Sequence, residues 1–408
     1  MLKFLLKKIE KPLNLSKGII KFLIAVIVIL FIILYYQTEI FYFSEVKNNA
    51  GNNFYNPYAS WNKLKTVKAN FHAHAHHWGG LTNGHNSEKE LTEAYKNIGY
   101  QVASVSNYHH ISKSTCSDII QIPTYEQGYN ISKAHFLAIN ALKTENIDFP
   151  IGQNTTQKQT RIKNLKTTAS LVAIAHPKLN NAFSKKDLER LKGYDLLEVL
   201  NPYCESFDLW DYALSRGTLS WLLSNDDTHD LAKQPPGRFF NVVSIKESKK
   251  NAIINSLKEG NHVAYKSEKG VTDVYLNKIN IKNNTLEYTF SGKIKSVKMI
   301  SDLNSSMVPS KGEIQLKNDF KYFRFEVIGE FSTLFTNPIY RIDEKKLTTY
   351  SAIPYKISKS KTFIFRLNCL LVGSIFIVLI YWKEIYYKVL NSKSKSQFSK
   401  KKSLILSK

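Results

Sequence analysis

The chain has 408 residues, 43% of them hydrophobic and 12% aromatic, with 17 Gly and 11 Pro; this excludes a disordered or collagen-like chain and leaves room for two or three domains. The formal net charge of +24 would ordinarily point to nucleic acid, but residues 1–21 carry +5 of it and residues 383–408 carry +7, so half lies in two short ends. Three cysteines, Cys116, Cys204 and Cys369, with no CxxC spacing, exclude a disulfide framework and a zinc knuckle and leave open whether Cys116 and Cys204 pair.

Residues 18–36 are apolar except for Lys21, whose stem reaches toward the interface, and at about 1.5 Å per residue the run matches a hydrocarbon core of about 30 Å. It is long for a cleaved signal peptide, and Tyr35-Tyr36-Gln37-Thr38-Glu39 offers no small-residue cleavage site, so a transmembrane helix is expected. A second uncharged run, 367–382, extends back to residue 363 and ends in Tyr381 and Trp382, the aromatic pair of a headgroup belt, so 363–382 is expected as a second span. The Lys-rich outer flanks place 1–17 and the basic tail 383–408 in the cytoplasm. Residues 37–361 are then periplasmic or otherwise extracytoplasmic, on a two-pass protein of the inner or cytoplasmic membrane.

After a lead-in rich in Asn and Tyr over 45–63, strand and helix signals alternate to about residue 265. Ser87 followed by Glu90 is a capping box that opens a helix over 88–97, Gly99 closes it, and the apolar run 102–105 reads as a buried strand. The pairing recurs as strand 171–175, helix 185–192 between Ser184 and Gly193, strand 196–200, helix 207–215, strands 219–223 and 239–245, and helix 251–259. Repeated strand and helix units mean a parallel sheet, and this many in about 200 residues predict a barrel. From residue 271 the pattern changes to short alternating runs (274–276, 286–290, 297–300, 322–327, 339–342), which predict a small β-sandwich-like domain over 270–345.

All eleven histidines lie between residues 72 and 262. His72 and His74 close the first strand, and i, i+2 spacing on a strand points both rings to one side, where one ion can take both. Asp227 and His229 repeat that spacing after strand 219–223; His109 and His110 follow strand 102–105, and His176 follows 171–175. Four strands thus end in metal-ligand types, and in a strand–helix barrel those ends converge on one face. His with carboxylates and no Cys suits Zn, Mn or Fe. His76, His77, His85, His110 and His262 have no such position and read as flank, supporting or surface residues.

These motifs resemble the PHP (polymerase and histidinol phosphatase) superfamily of metal-dependent phosphoesterases. The resemblance rests on Asn70-Phe71-His72-Ala73-His74, the segment from Gly99 to His109, Ala175-His176-Pro177 and Asp227-Thr228-His229, in order over about residues 66–265. It implies a distorted (β/α)7 TIM-like barrel with two or three divalent metal ions at its C-terminal face. It also picks out Glu126, in Pro123-Thr124-Tyr125-Glu126-Gln127-Gly128, as a bridging carboxylate and His135 as a further ligand. The family has Asp directly before His after the second strand; here Asn107, Tyr108 and His109 stand there, so a third ion is expected to bind weakly or not at all, and Asn107→Asp to restore it.

The resulting expectation is an α/β barrel with an all-β domain and two transmembrane helices, acting as a metal-dependent phosphoesterase. One ion would lie among His72, His74, Glu126 and Asp227, the other among Glu126, His135 and His176. His109 and His229 would hold a third ion or transfer a proton to the leaving group, and Arg238 would clamp a phosphate. The implied substrate is a phosphorylated small molecule or nucleotide-type compound, with no specific nucleic acid as partner, and the oligomeric state is not legible. The rival readings are hydrolysis of a non-phosphate ester or amide, and a non-catalytic membrane-tethered binding module.

Overall fold

The structure is a computed structural model and describes residues 17–43, 53–113, 116–268, 270–316, 320–342 and 355–389. The expected cytoplasmic segment before Lys17, the tail beyond residue 389, residues 45–52 of the lead-in and the last three residues of the 270–345 domain lie outside the described residues. The chain forms two compact units, one of residues 1–40 and 357–408, the other of residues 41–356.

In the first unit, helices Lys17–Tyr36 and Lys359–Ile380 are both long and apolar enough to cross a membrane. The second starts four residues before the predicted span, because Ser358 caps it by accepting the Lys361 N–H. The two pack closely where Gly373 meets Ile32, a contact that leaves no room for a Cβ at position 373. Arg366 donates from Nε to Tyr36 O at 3.0 Å.

The second unit is mixed α/β. Its strands up to residue 267, three short ones apart (Phe41–Tyr42, Asn53–Tyr55 and Cys204–Glu205), are β1 (Lys65–Asn70), β2 (Val102–Ala103), β3 (Thr124–Gln127), β4 (Phe136–Ala141), β5 (Ala169–Ile174), β6 (Leu196–Asn201), β7 (Trp221–Ser224), β8 (Phe239–Ile245) and β9 (His262–Ser267). The helices are α1 (Glu88–Asn97), α2 (Thr155–Leu165), α3 (Lys185–Arg190), α4 (Phe207–Ser215) and α5 (Lys250–Glu259). The expected capping box at Ser87/Glu90 is formed, and Ser184, expected as a cap, forms a box of its own with Asp187. Helix α2 is not legible as a helix: its sequence TTQKQTRIKNL has only Ile162 and Leu165 as large apolar residues, and beside them it buries Gln159, Lys158 and Arg161.

The expected closed barrel is not found among the described residues. One sheet runs β7-β6-β5-β4-β3, parallel between β7, β6 and β5 and antiparallel from β5 to β3. A second contains β9-β8-β1-β2, with β8 antiparallel to both β9 and β1. The physical reason is strand direction: β4, which follows β3 after a short connection with no helix between them, runs antiparallel to both its neighbours, and a strict strand–helix repeat would have made every pair parallel. Side chains from both sheets nevertheless share one buried cluster, including Val67, Leu137, Leu171, Leu196, Leu223 and Val243. Between β7 and β8 the seam is stitched by a side chain: the Ser224 N–H donates to Asn241 Oδ1 at 3.1 Å and Asn241 Nδ2 to Ser224 O at 2.7 Å. Between β2 and β3 only isolated bridges, Val102 with Ile120 and Tyr108 with Glu126, join the sheets.

The later strands are β10 (Val274–Lys282), β11 (Thr285–Gly292), β12 (Ser296–Ser301), β13 (Ser305–Val308), β14 (Lys311–Gln315), β15 (Tyr322–Ile328), β16 (Ser332–Thr336) and β17 (Ile339–Ile342). Strands β10, β11 and β14 form a separate three-stranded sheet, whereas β16 pairs antiparallel with β9 and carries β15, β12 and β13 onto the second sheet. Arg324 of β15 grips Asp211 of α4 with two N–H groups, at 2.9 and 2.7 Å, a planar fork suited to a carboxylate.

Candidate metal centre

Beyond Asn70 the chain stays extended, and two neighbouring segments hold it. The His74 N–H donates to Thr228 O at 2.8 Å and the Asp227 N–H to His72 O at 3.0 Å, while the Ser106 N–H donates to Ala73 O at 2.8 Å. Glu126 enters from β3, its N–H on Ser106 O at 3.1 Å. His135 precedes β4, where Gly128, at φ +152°, leaves the room its ring needs; a Cβ there would overlap the imidazole. His176 (φ 28°) and Asp227 (φ 45°) occupy the left-handed region, which costs a side-chain-bearing residue about 1–2 kcal/mol and here turns both toward the same space.

The structure thereby brings together His72, His74, Glu126, His135, His176 and Asp227, none more than 3% exposed. Glu126 is the hub. Its Oε2 lies 3.0 Å from His74 Nε2 and 3.4 Å from His72 Nε2, and its Oε1 lies 2.6 Å from His135 Nδ1 and 3.1 Å from His176 Nε2. Asp227 Oδ1 stands 3.2 and 3.3 Å from the Nε2 atoms of His72 and His74. Two triads, His72-His74-Asp227 and His72-Glu126-His176, have ligand atoms within 4.8 Å of one another and could each hold an ion.

Sequence reasoning missed Glu198, whose only signal was a lone acid inside the apolar strand β6. It is fully buried and accepts His72 Nδ1–H at 2.9 Å, the His176 N–H at 2.9 Å and Asn225 Nδ2 at 2.9 Å. Asn201 Nδ2 donates to both Glu198 and Asp227 at 3.1 Å. Fixing Nδ1–H on a carboxylate turns the His72 Nε2 lone pair inward and makes it a better ligand. His229 is set the same way: Nδ1 donates to Asp227 O at 2.8 Å, which leaves Nε2 as a buried acceptor without a partner.

Charge in the cluster favours cations. Burial alone would lower the pKa of His72, but Asp227, Glu198 and Glu126 together raise it well above its ordinary value, and His74 and His176 are raised by the same kind of balance. Burial pushes the Glu126 carboxyl up, yet His135 and His72 pull it well below the carboxylate range; Asp227 is lowered against burial too, chiefly by His72 and His74. His135 is lowered, burial outweighing Glu126, and burial with His74 holds His229 at about 4. Glu126 Oε2 and Asp227 Oδ1 are buried acceptors without a hydrogen bond, and an unmet buried acceptor costs about 1–3 kcal/mol. The Nε2 atoms of His72 and His74 face one another at 3.1 Å, an arrangement that lone pairs tolerate only around a proton or a cation. Nitrogen and oxygen donors without sulfur fit a borderline divalent ion.

Three residues expected at the centre lie outside the two triads. The His109 imidazole is outside the cluster: its Nε2 accepts the Gly128 N–H at 3.1 Å and its ring lies 5.3 Å from that of Tyr129. Asn107 is outside it as well, with Oδ1 accepting the Ala75 N–H at 2.9 Å and Nδ2 donating to Glu88 and Ser112 at 3.2 Å. The chain turns here, with His109 at φ +51°, and Tyr108, between them, is the residue whose ring meets His74 and His135. Arg238 is exposed with its guanidinium 5.1 Å over its neighbour Phe239, away from the ligands. His262 is fully buried, bonds Leu222 O at 2.7 Å and lies in neither triad. His77 and His110 stack on each other at 3.9 Å apart from the triads, and among the described residues no disulfide joins Cys116, Cys204 or Cys369.

No family model matches the chain, and no curated protein sequence does. Among solved structures it is similar to a two-domain protein from Bacteroides vulgatus that contains a predicted PHP-like metal-dependent phosphoesterase. That likeness has 14% identity and a TM-score of 0.40, over 70% of this chain and 95% of that one. It is also similar to a lesion-specific endonuclease from Pyrococcus furiosus, at 18% identity and a TM-score of 0.34, over 48% of this chain and 56% of that one.

Proposed function

We propose that this chain is a membrane-anchored, metal-dependent hydrolase that cleaves a phosphate ester, with a phosphorylated small molecule or nucleotide-type compound as substrate. The observation that carries the reading is Glu126, one buried carboxylate touched by four imidazoles and standing between two ligand triads. Of the two or three ions first expected, two fit the donors: His72, His74, Glu126 and Asp227 for one, and Glu126, His135 and His176 for the other. Zn, Mn or Fe suits them. Such ions supply Lewis acidity, which lowers the pKa of water from about 15.7 toward about 7 and offsets charge on phosphate oxygens. The chain's own residues do the rest. Glu198 and Asn201 hold His72 and Asp227 in register, and His229 Nε2, a buried acceptor, would take a hydrogen bond from the attacking water and orient it.

The apolar helices Lys17–Tyr36 and Lys359–Ile380 support a two-pass anchor, with residues 37–361 periplasmic or extracytoplasmic. The test is a panel of phosphodiesters, phosphomonoesters and carboxylic esters given to the full chain before and after chelation. Phosphoester turnover that chelation abolishes and Zn, Mn or Fe restores is expected. Turnover of carboxylic esters alone, or turnover indifferent to chelation, contradicts the reading.

A further inference from the structure

The turn that follows Tyr108 puts into the centre a side chain that no motif assigned. The backbone of Tyr108 bridges that of Glu126, and Trp78 Nε1 donates to Tyr108 O at 2.9 Å, so the residue is fixed from both sides. Its ring stacks on His74 at 4.7 Å and 22°, and His229 stacks on the same imidazole at 4.4 Å and 24°. Two near-parallel rings that close must take opposite faces, so His74 is held between them. The Tyr108 ring also meets His135 edge-on at 5.6 Å, and its phenol feels the charges of both Glu126 and Asp227. The hydroxyl therefore stands among the ligands of both triads, while the side chains before and after it point elsewhere. The side chain is partly buried, and its O–H stands within hydrogen-bonding reach of Glu126, beside the space that a molecule held by both triads would occupy.

We propose that Tyr108 is a catalytic residue of this centre, whose phenol donates a hydrogen bond to a non-bridging oxygen of a phosphoryl group. The proposal rests on the phosphoester reading above. An uncharged donor beside two carboxylates keeps its hydrogen where a cationic side chain would be drawn into an ion pair with them. The phenol O–H bond does not break; the donor is aimed at charge that grows on the phosphoryl oxygens as water attacks and the ester oxygen leaves. A pre-placed donor of this kind is worth about 10²–10³ in rate.

The experiment compares full-length wild type and Tyr108→Phe, each loaded with the same metal. The phenylalanine keeps the stacked ring and removes only the hydroxyl. Elemental analysis is expected to give equal metal content, calorimetric titration about tenfold weaker binding of inorganic phosphate to the variant, and steady-state kinetics a kcat lowered about a hundredfold with KM changed much less. Equal phosphate affinity in the two proteins overturns the proposal, and so does loss of metal from the variant, which would make Tyr108 a ligand. A wild type that binds phosphate but turns over no phosphoester overturns the hydrolase reading instead, and the phosphate titration then still decides the role of the phenol.

Discussion

Replacing Asn107 by Asp is expected to destabilise the fold and to add no metal ion, the opposite of what the motif pattern implied. The amide is 1% exposed, and its Nδ2 lies 3.2 Å from the Glu88 carboxylate. An aspartate would set two negative charges at about that separation, worth about 5 kcal/mol at an effective dielectric constant of about 20. Glu88 is only half-buried, so solvent screening reduces this to about 2–3 kcal/mol, and the lost donor to Ser112 Oγ adds about 1 kcal/mol. Protonating the new side chain sets a ceiling, since holding a proton from a pKa of about 3.9 up to pH 7 costs about 4 kcal/mol. A loss of about 3 kcal/mol is therefore expected at pH 7 in denaturant unfolding. The sign of its pH dependence follows: the introduced carboxyl has a folded-state pKa above its unfolded value, so the folded state binds the proton better and the defect shrinks as pH falls. Unfolding curves at pH 5 and pH 7, with elemental analysis of both proteins, measure it. An aspartate variant as stable as the wild type, or one that gains an ion, would refute the structural role given to Asn107.

His109→Ala should leave the metal content unchanged, because the ring bonds Gly128 and faces away from the ligands; loss of an ion on elemental analysis would return His109 to the centre. His262 should make stability depend on pH. Burial holds it at about 4, against about 6.5 in the unfolded chain, so its contribution is complete above about 6.5 and is lost as pH falls from there toward 4, by about 3 kcal/mol in all. In unfolding experiments the stability gap between wild type and His262→Phe should narrow over that window, and a gap that is constant with pH would contradict the assignment.

What could be read from the sequence was whatever repeats or caps. The capping boxes at Ser87 and Ser184, the apolar strands β6 and β8, and the histidines two apart at 72 and 74 each carry their signal in a few adjacent residues. The antiparallel course of β3, β4 and β5 does not, because strand direction depends on pairings far apart in the chain, and so the two sheets were taken for one barrel. Helix α2 hid because most of its buried residues are polar, with Arg161 satisfied by Gln127, Gln153, Ala134 O and Asp148. At the centre, the i, i+2 rule brought out His72, His74 and Asp227, and family resemblance supplied Glu126 and His135. His109, expected at the centre, lies outside the ligand cluster, because a motif counts residue types and does not show that the chain turns there, with His109 at φ +51°. Glu198 and Tyr108 act through contacts with residues dozens of positions away, and no local pattern announces either.

The central claim is that Glu126 joins two cation sites. Elemental analysis of the purified full-length chain and of Glu126→Gln measures it most directly, since the amide keeps the shape of the side chain and removes the charge that four imidazoles share. Two divalent ions per chain in the wild type, and loss of both in the variant, is the predicted result. A wild type without metal, or a Glu126→Gln variant that keeps both ions, would contradict the account.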